Sequence, residues 1–97
     1  MFRHVVLFSW ADDMTEAHLR LITDELSKLP GAIESIRDYR FGPDAGLNPA
    51  NRDFAVVADF DDADGYLAYR DHPVHRAMVE KYITPVLADR SAIQYEY

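Results

Sequence analysis

A chain of 97 residues without cysteine is expected to form one domain, residues 1–97, around a thin core that no disulfide or thiolate-bound metal reinforces. Seventeen acidic against ten basic side chains, a formal charge of −7, speak against nucleic acid or an anionic membrane as partner, because both need a cationic footprint. The longest apolar run, Val5 to Phe8, is far too short to cross a bilayer, and Met-Phe-Arg-His enters a strand without a signal-peptide pattern, so a cytoplasmic protein is expected.

Phe2 to Trp10 reads as a first strand with apolar residues on both faces: Phe2, Val6, Phe8 and Trp10, with His4, on one, and Val5 and Leu7 on the other. Asp12-Asp13 ends it. Thr15 is a good N-cap for the next helix, with Met14 and Leu19 placed as a hydrophobic staple. Leu19, Ile22, Leu26 and Leu29 follow as one apolar stripe, and Pro30-Gly31 is expected to stop the helix. Residues 33–41 read as a rougher second strand, with Ile33, Tyr39 and Phe41 of one parity and Ile36 breaking it, as a bulged edge strand tolerates. Gly42 to Asn51 is a loop.

Arg52 to Phe60 is the third strand, with Phe54, Val56, Ala58 and Phe60 on one face and Ala55 and Val57 on the other. Asp61 or Asp62 can cap a helix through Tyr66, Leu67 and Tyr69, and Asp59, Asp61, Asp62 and Asp64 are most simply a solvated helix start. That helix is interrupted before Pro73 and resumes from His75 to about Val86, its end frayed or tightened at Thr84-Pro85. Ala92 to Tyr97 is the last strand, with Ile93, Tyr95 and Tyr97 on one side. The order β-α-β-β-α-β predicts an α+β, ferredoxin-like fold with a four-stranded antiparallel sheet. In that plan the first and third strands, the two that read as buried on both faces, hold the middle of the sheet. Two helices cover one sheet face. The other is an exposed apolar patch unless a second copy closes it, so a homodimer is expected.

His4-Val5-Val6-Leu7-Phe8 with Trp10, Phe41-Gly42-Pro43-Asp44, Asp53-Phe54-Ala55-Val56 leading to Phe60, and Leu67-Ala68-Tyr69 through His72-Pro73-Val74-His75 together resemble the stress-responsive dimeric α/β-barrel, or Dabb, family over essentially the whole chain. The resemblance implies a ferredoxin-like protomer, a dimeric α+β barrel closed by two sheets, and a pocket between the helices and the covered sheet face. Some members of that family are stress-associated dimers; a plant member is a polyketide cyclase with a Tyr and a His as acid/base pair. Matched through the His-Pro-x-His element, those roles fall on Tyr69 and His75, and a first-strand histidine falls on His4. A third-strand pocket histidine falls on Phe54, where this chain departs from the pattern.

Taken by themselves, residues 69–75 pack two imidazoles, a phenol and a carboxylate into a helix joint. An imidazole titrating near neutrality can take a carbon-bound proton while a phenol supports the enolate oxygen, with no cofactor required. Together with the roles the resemblance implies, the expected acid/base residues are Tyr69 and His75, assisted by His4, with His72, Val6, Phe8, Phe54 and Val56 lining a pocket for a polyketide-like or other carbonyl-bearing small molecule, in a reaction of cyclase or lyase type. The alternative is that the His-Pro-x-His element caps and packs the helix restart, in a non-catalytic, stress-responsive ligand-binding or structural dimer. A metal on His72, His75, Asp71 and His4 is a weak third reading, and none is expected. His18 reads as surface or rim. A cavity of about 300 Å³ or more walled by His75 and Tyr69 favours the catalytic reading; one filled by Phe8, Phe54 and Trp10 favours the other.

Overall fold

A computed structural model describes residues Met1–Tyr97. Its elements are β1 (Phe2–Trp10), α1 (Glu16–Ala32), β2 (Asp38–Pro43), β3 (Phe54–Phe60), α2 (Ala63–Asp71), α3 (Pro73–Met78) and β4 (Leu87–Glu96), the last preceded by a π-helical turn, Val79–Ile83, and a 3₁₀ turn, Thr84–Val86. The strands lie in the order β2-β3-β1-β4, every neighbouring pair antiparallel, which is the ferredoxin-like arrangement. As the two-sided apolar patterns predict, β1 and β3 are central. Their register sets His4 opposite Ala58, Val6 opposite Val56 and Phe8 opposite Phe54, all buried on the helix side.

The Thr15 hydroxyl accepts the His18 amide at 3.1 Å and starts α1. Ile22, Leu26 and Leu29 form its buried stripe. The helix does not stop at Pro30-Gly31. It runs on to Ala32, and the Ile33 amide closes it on the Leu29 carbonyl at 2.9 Å. Proline removes only one backbone donor here, near the helix end, and carrying the turn onward buries Ile33 to 2% exposure. Ile33 is thus a helix-end residue, β2 begins only at Asp38, and the parity break at Ile36 falls in the turn between them. β3 begins at Phe54 rather than Arg52, whereas β4 begins at Leu87, five residues ahead of the predicted start. Its Ala-Asp-Arg-Ser segment lacks an apolar alternation, yet it pairs with β1 down to Trp10, through a register shift at Ser9/Trp10.

Asp62 caps α2, its carboxylate accepting from the Gly65 amide at 2.9 Å. Thr84–Val86 tightens into a 3₁₀ turn, with Pro85 in its opening positions, where a missing N–H costs nothing. Cross-strand partners Val5, Val57 and Ile93, and Leu7 with Ala55, lie on the sheet face that no helix covers; Ile93 there is 61% exposed. Asp59 also belongs to that face rather than to a solvated helix start. It is buried, and its carboxylate takes two hydrogen bonds from Arg3, at 2.7 and 2.8 Å, which hold it below the usual aspartate range. No helix of the chain is long and apolar enough to cross a membrane.

Candidate active site

The covered sheet face does not meet the helices tightly everywhere. Between β1, β3 and the α2–α3 joint lies a cavity of about 130 Å³. His4, Val6, Phe8 and Val56 form its sheet wall, while Tyr66, Tyr69, Arg70, His75 and Met78 form its helix wall. Val79 and Ile83 reach it from the π turn, Leu26 from α1, Tyr39 from β2, and Leu87 and Arg90 from β4. Most of this lining is apolar. The polar atoms are few and convergent, the usual composition of a small-molecule site.

The helix joint sets the first of them. His72 is extended, at φ −62° and ψ 132°, because Pro73 disfavours a helical conformation in the residue before it. Its Nδ1 accepts the Val74 amide at 3.1 Å, so the imidazole caps α3 and satisfies a donor the helix start leaves unpaired. The break turns α3 back on α2 and lays the His75 ring against the Tyr69 ring, with centroids 4.2 Å apart at 37°. His75 Nδ1 lies 3.1 Å from the Arg70 carbonyl oxygen. A carbonyl can only accept, so Nδ1 carries the proton of the neutral ring and Nε2 keeps its lone pair. Burial lowers the pKa of His75, against the pull of that carbonyl, and the neutral base is its resting form at pH 7.

His4 is the complement. Gln94, on β4, places its side-chain amide nitrogen 2.8 Å from His4 Nδ1. With the amide donating, Nδ1 is the acceptor and Nε2 bears the hydrogen. Burial first, then the charges of Arg90 and His75, bring His4 down to about 4, so it too is neutral. Its ring packs on Tyr66 at 4.8 Å. Tyr69, 3% exposed, has its hydroxyl 2.8 Å from that of Tyr39. Burial pushes Tyr69 up to about 12 and raises Tyr39 further, so both remain phenols. One cavity therefore holds an imidazole with a free lone pair, an imidazole with a free N–H, and a linked pair of phenols.

Of the residues expected from sequence, Tyr69, His75, His4, Val6, Phe8 and Val56 meet at this cavity. His72 and Phe54 do not line it. His72 is turned to the backbone as a cap, and Phe54, 2% exposed, packs between Trp10 and Phe41 with centroids 5.8 and 6.4 Å away. The cavity also falls between the two sizes anticipated. It is not filled by Phe8, Phe54 and Trp10, but Tyr39, Tyr66 and Met78 narrow it below 300 Å³. His18 is more than rim: its Nε2 sits 2.7 Å from the Tyr82 carbonyl oxygen and ties α1 to the π turn. Sequence reasoning missed Tyr39, Gln94 and Arg90 as site residues. Tyr39 shares its parity with Phe41, which hints at the covered face; the other two depend on the register of β4. No three His, Asp or Glu side chains converge to hold a metal ion.

Known proteins share this architecture. An uncharacterized protein of Streptomyces coelicolor is 33% identical over 92% of this chain and 97% of its own length. A dimeric ferredoxin-like protein of Thermobifida fusca YX is 49% identical, with a TM-score of 0.91 over 99% of this chain and 90% of that one. The hydroxynitrile lyase of Passiflora edulis has the same fold, with a TM-score of 0.85 over 97% of this chain and 90% of that one, but at 15% identity the likeness is one of fold alone. The model of the family described as Stress responsive A/B Barrel Domain (Dabb) matches residues 2–97, and the chain belongs to that family.

Proposed function

We propose that this protein is a cytoplasmic homodimer whose cavity carries out cofactor-independent acid/base chemistry, of lyase or cyclase type, on a small carbonyl compound. The observation that carries the reading is the convergence on one apolar cavity of two imidazoles, His75 with Nδ1 on a backbone carbonyl and His4 with Nδ1 on the Gln94 amide, with the Tyr69 hydroxyl beside them. His75 Nε2 takes a proton from the carbon next to a carbonyl. With Tyr39 as donor in the hydrogen bond the two phenols share, Tyr69 donates its own hydrogen to the oxygen on which negative charge develops, and the Nε2 hydrogen of His4 supports the same oxygen. The apolar walls strengthen both donations by keeping water out. About 130 Å³ suits a single ring or a short branched chain rather than an extended polyketide, since an apolar cavity of about 150 Å³ holds benzene.

The second copy is assigned to the uncovered sheet face, where Val5, Leu7, Val57 and Ile93 would otherwise stay wet. Dimerisation of the Thermobifida protein, 49% identical, supports this. The restricted cavity favours a second reading, a dimer that binds a small ligand without turning it over. Exchange of the methyl hydrogens of acetophenone in D₂O, followed by proton NMR, separates the two. The catalytic reading expects exchange above the buffer rate in the wild type, lowered about 100-fold or more in His75→Ala at unchanged melting temperature. Binding of acetophenone with no exchange, or exchange indifferent to His75, leaves the binding reading.

A further inference from the structure

Two guanidinium groups stand at the cavity, and only one of them is committed elsewhere. Arg70 is held by Asp71 through two hydrogen bonds, at 2.9 and 3.0 Å. Arg90 makes no side-chain hydrogen bond and no ion pair; of the other arginines only Arg20 and Arg76 are likewise unpaired, and neither of them lines the cavity. The strand explains its position. β4 alternates, so Asp89 and Ser91 turn to the uncovered face, where both meet Arg52, while Arg90 turns to the helix side opposite Phe8. The acidic neighbour is thereby carried away from it. Its charge reaches His4, Tyr69 and His75, favouring the deprotonated form of each, although burial outweighs it at Tyr69. What sets Arg90 apart from the other unpaired arginines is its place at the mouth of an apolar cavity, where its charge is left for an anion to meet.

We infer that Arg90 binds a carboxylate of the substrate, so that the compound taken by this cavity is a small monocarboxylate whose apolar body lies between Phe8, Val56 and Met78. This rests on the proposed acid/base reading and names the class of substrate for it: a carbonyl compound that also bears an acid group. The planar fork of a guanidinium matches a carboxylate in two parallel hydrogen bonds. A phosphate is disfavoured, because a single guanidinium in an acidic protein leaves its second charge unmet.

The test uses benzoate and its neutral isostere benzamide, titrated into the full chain while the imidazole resonances of His4 and His75 are followed by NMR. Benzoate is expected to shift both and to bind at least ten-fold more tightly than benzamide. Arg90→Gln should weaken benzoate about ten-fold or more and leave benzamide unchanged, with Arg90→Lys recovering part of the loss. Arg76→Gln, on the exposed side of α3, should change neither. Equal affinity for the two probes, equal loss in Arg90→Gln, a matching loss in Arg76→Gln, no shift at either imidazole, or tighter binding of phenyl phosphate than of benzoate would each overturn the inference. Acetophenone carries no acid group, so its hydrogen exchange reads the acid/base proposal separately: exchange without a benzoate preference removes this inference and leaves that one standing.

Discussion

The hydrogen bond between Tyr39 and Tyr69 can be tested by removing its two ends singly and together. Tyr39→Phe takes one hydroxyl from the pair and leaves the buried Tyr69 oxygen, otherwise 2.8 Å from its partner, with none. Tyr69→Phe does the reverse. A buried polar group left unpaired costs about 1–3 kcal/mol. Because both rings border the cavity, a water molecule can take the vacated place, which puts each single substitution near the low end, about 1 kcal/mol. The double variant differs in kind. It leaves two phenyl rings, whose centroids lie 5.9 Å apart at 59°, in apolar contact with no orphaned oxygen, so it should cost little more than either single change. The expected coupling is therefore about 1 kcal/mol. Urea unfolding of the four proteins at one chain concentration measures it, provided the slopes agree and only the midpoints move. Additivity within about 0.5 kcal/mol would refute the bond, and with it the picture of a Tyr69 hydrogen freed for a ligand by its neighbour.

Two further outcomes follow from the charges and faces of the sheet. His4 stands at about 4 in the folded chain against 6.5 for an ordinary histidine, so the unfolded chain binds the extra proton; its contribution should be full above pH 6.5 and fall by about 3 kcal/mol toward pH 4, a fall that His4→Gln takes out of the total while the lowered His75 keeps a smaller slope of the same sign, and an unchanged slope in that variant would refute the burial of a neutral ring. Val57→Asp, which sets a carboxylate in the middle of the uncovered apolar face, should give a monomer mass by light scattering at micromolar concentration where the wild type gives a dimer; a dimer that survives the charge would place the interface elsewhere.

The fold was legible because it depends on patterns that need no distant information. β1 and β3 carry apolar residues of both parities, and only the middle of a sheet accounts for that. Thr15, Asp62 and the His72-Pro73 break likewise mark helix starts through bonds made within two or three residues. Errors arose where a local rule met a distant gain. Pro30-Gly31 is a sound stop signal, overridden by the burial of Ile33. The polar segment of β4 forms a strand because β1 supplies its hydrogen-bonding partner, not because its side chains alternate.

The site divides along the same line. Tyr69 and His75 could be read together because the helix joint between them does the positioning, and His72 was readable as a cap for the same reason. His4 could be assigned to a face but not to a tautomer, which is set by Gln94, ninety residues away along the chain. Arg90 was illegible for a stricter reason. With β4 started at Ala92, residue 90 has no strand parity at all, and a one-residue change of register would send its guanidinium to the uncovered face and Asp89 toward the cavity. The charge at the cavity mouth is thus decided by the pairing of β4 with β1. Two residues that differ in sign sit side by side in the sequence, and only the register says which of them faces the cavity.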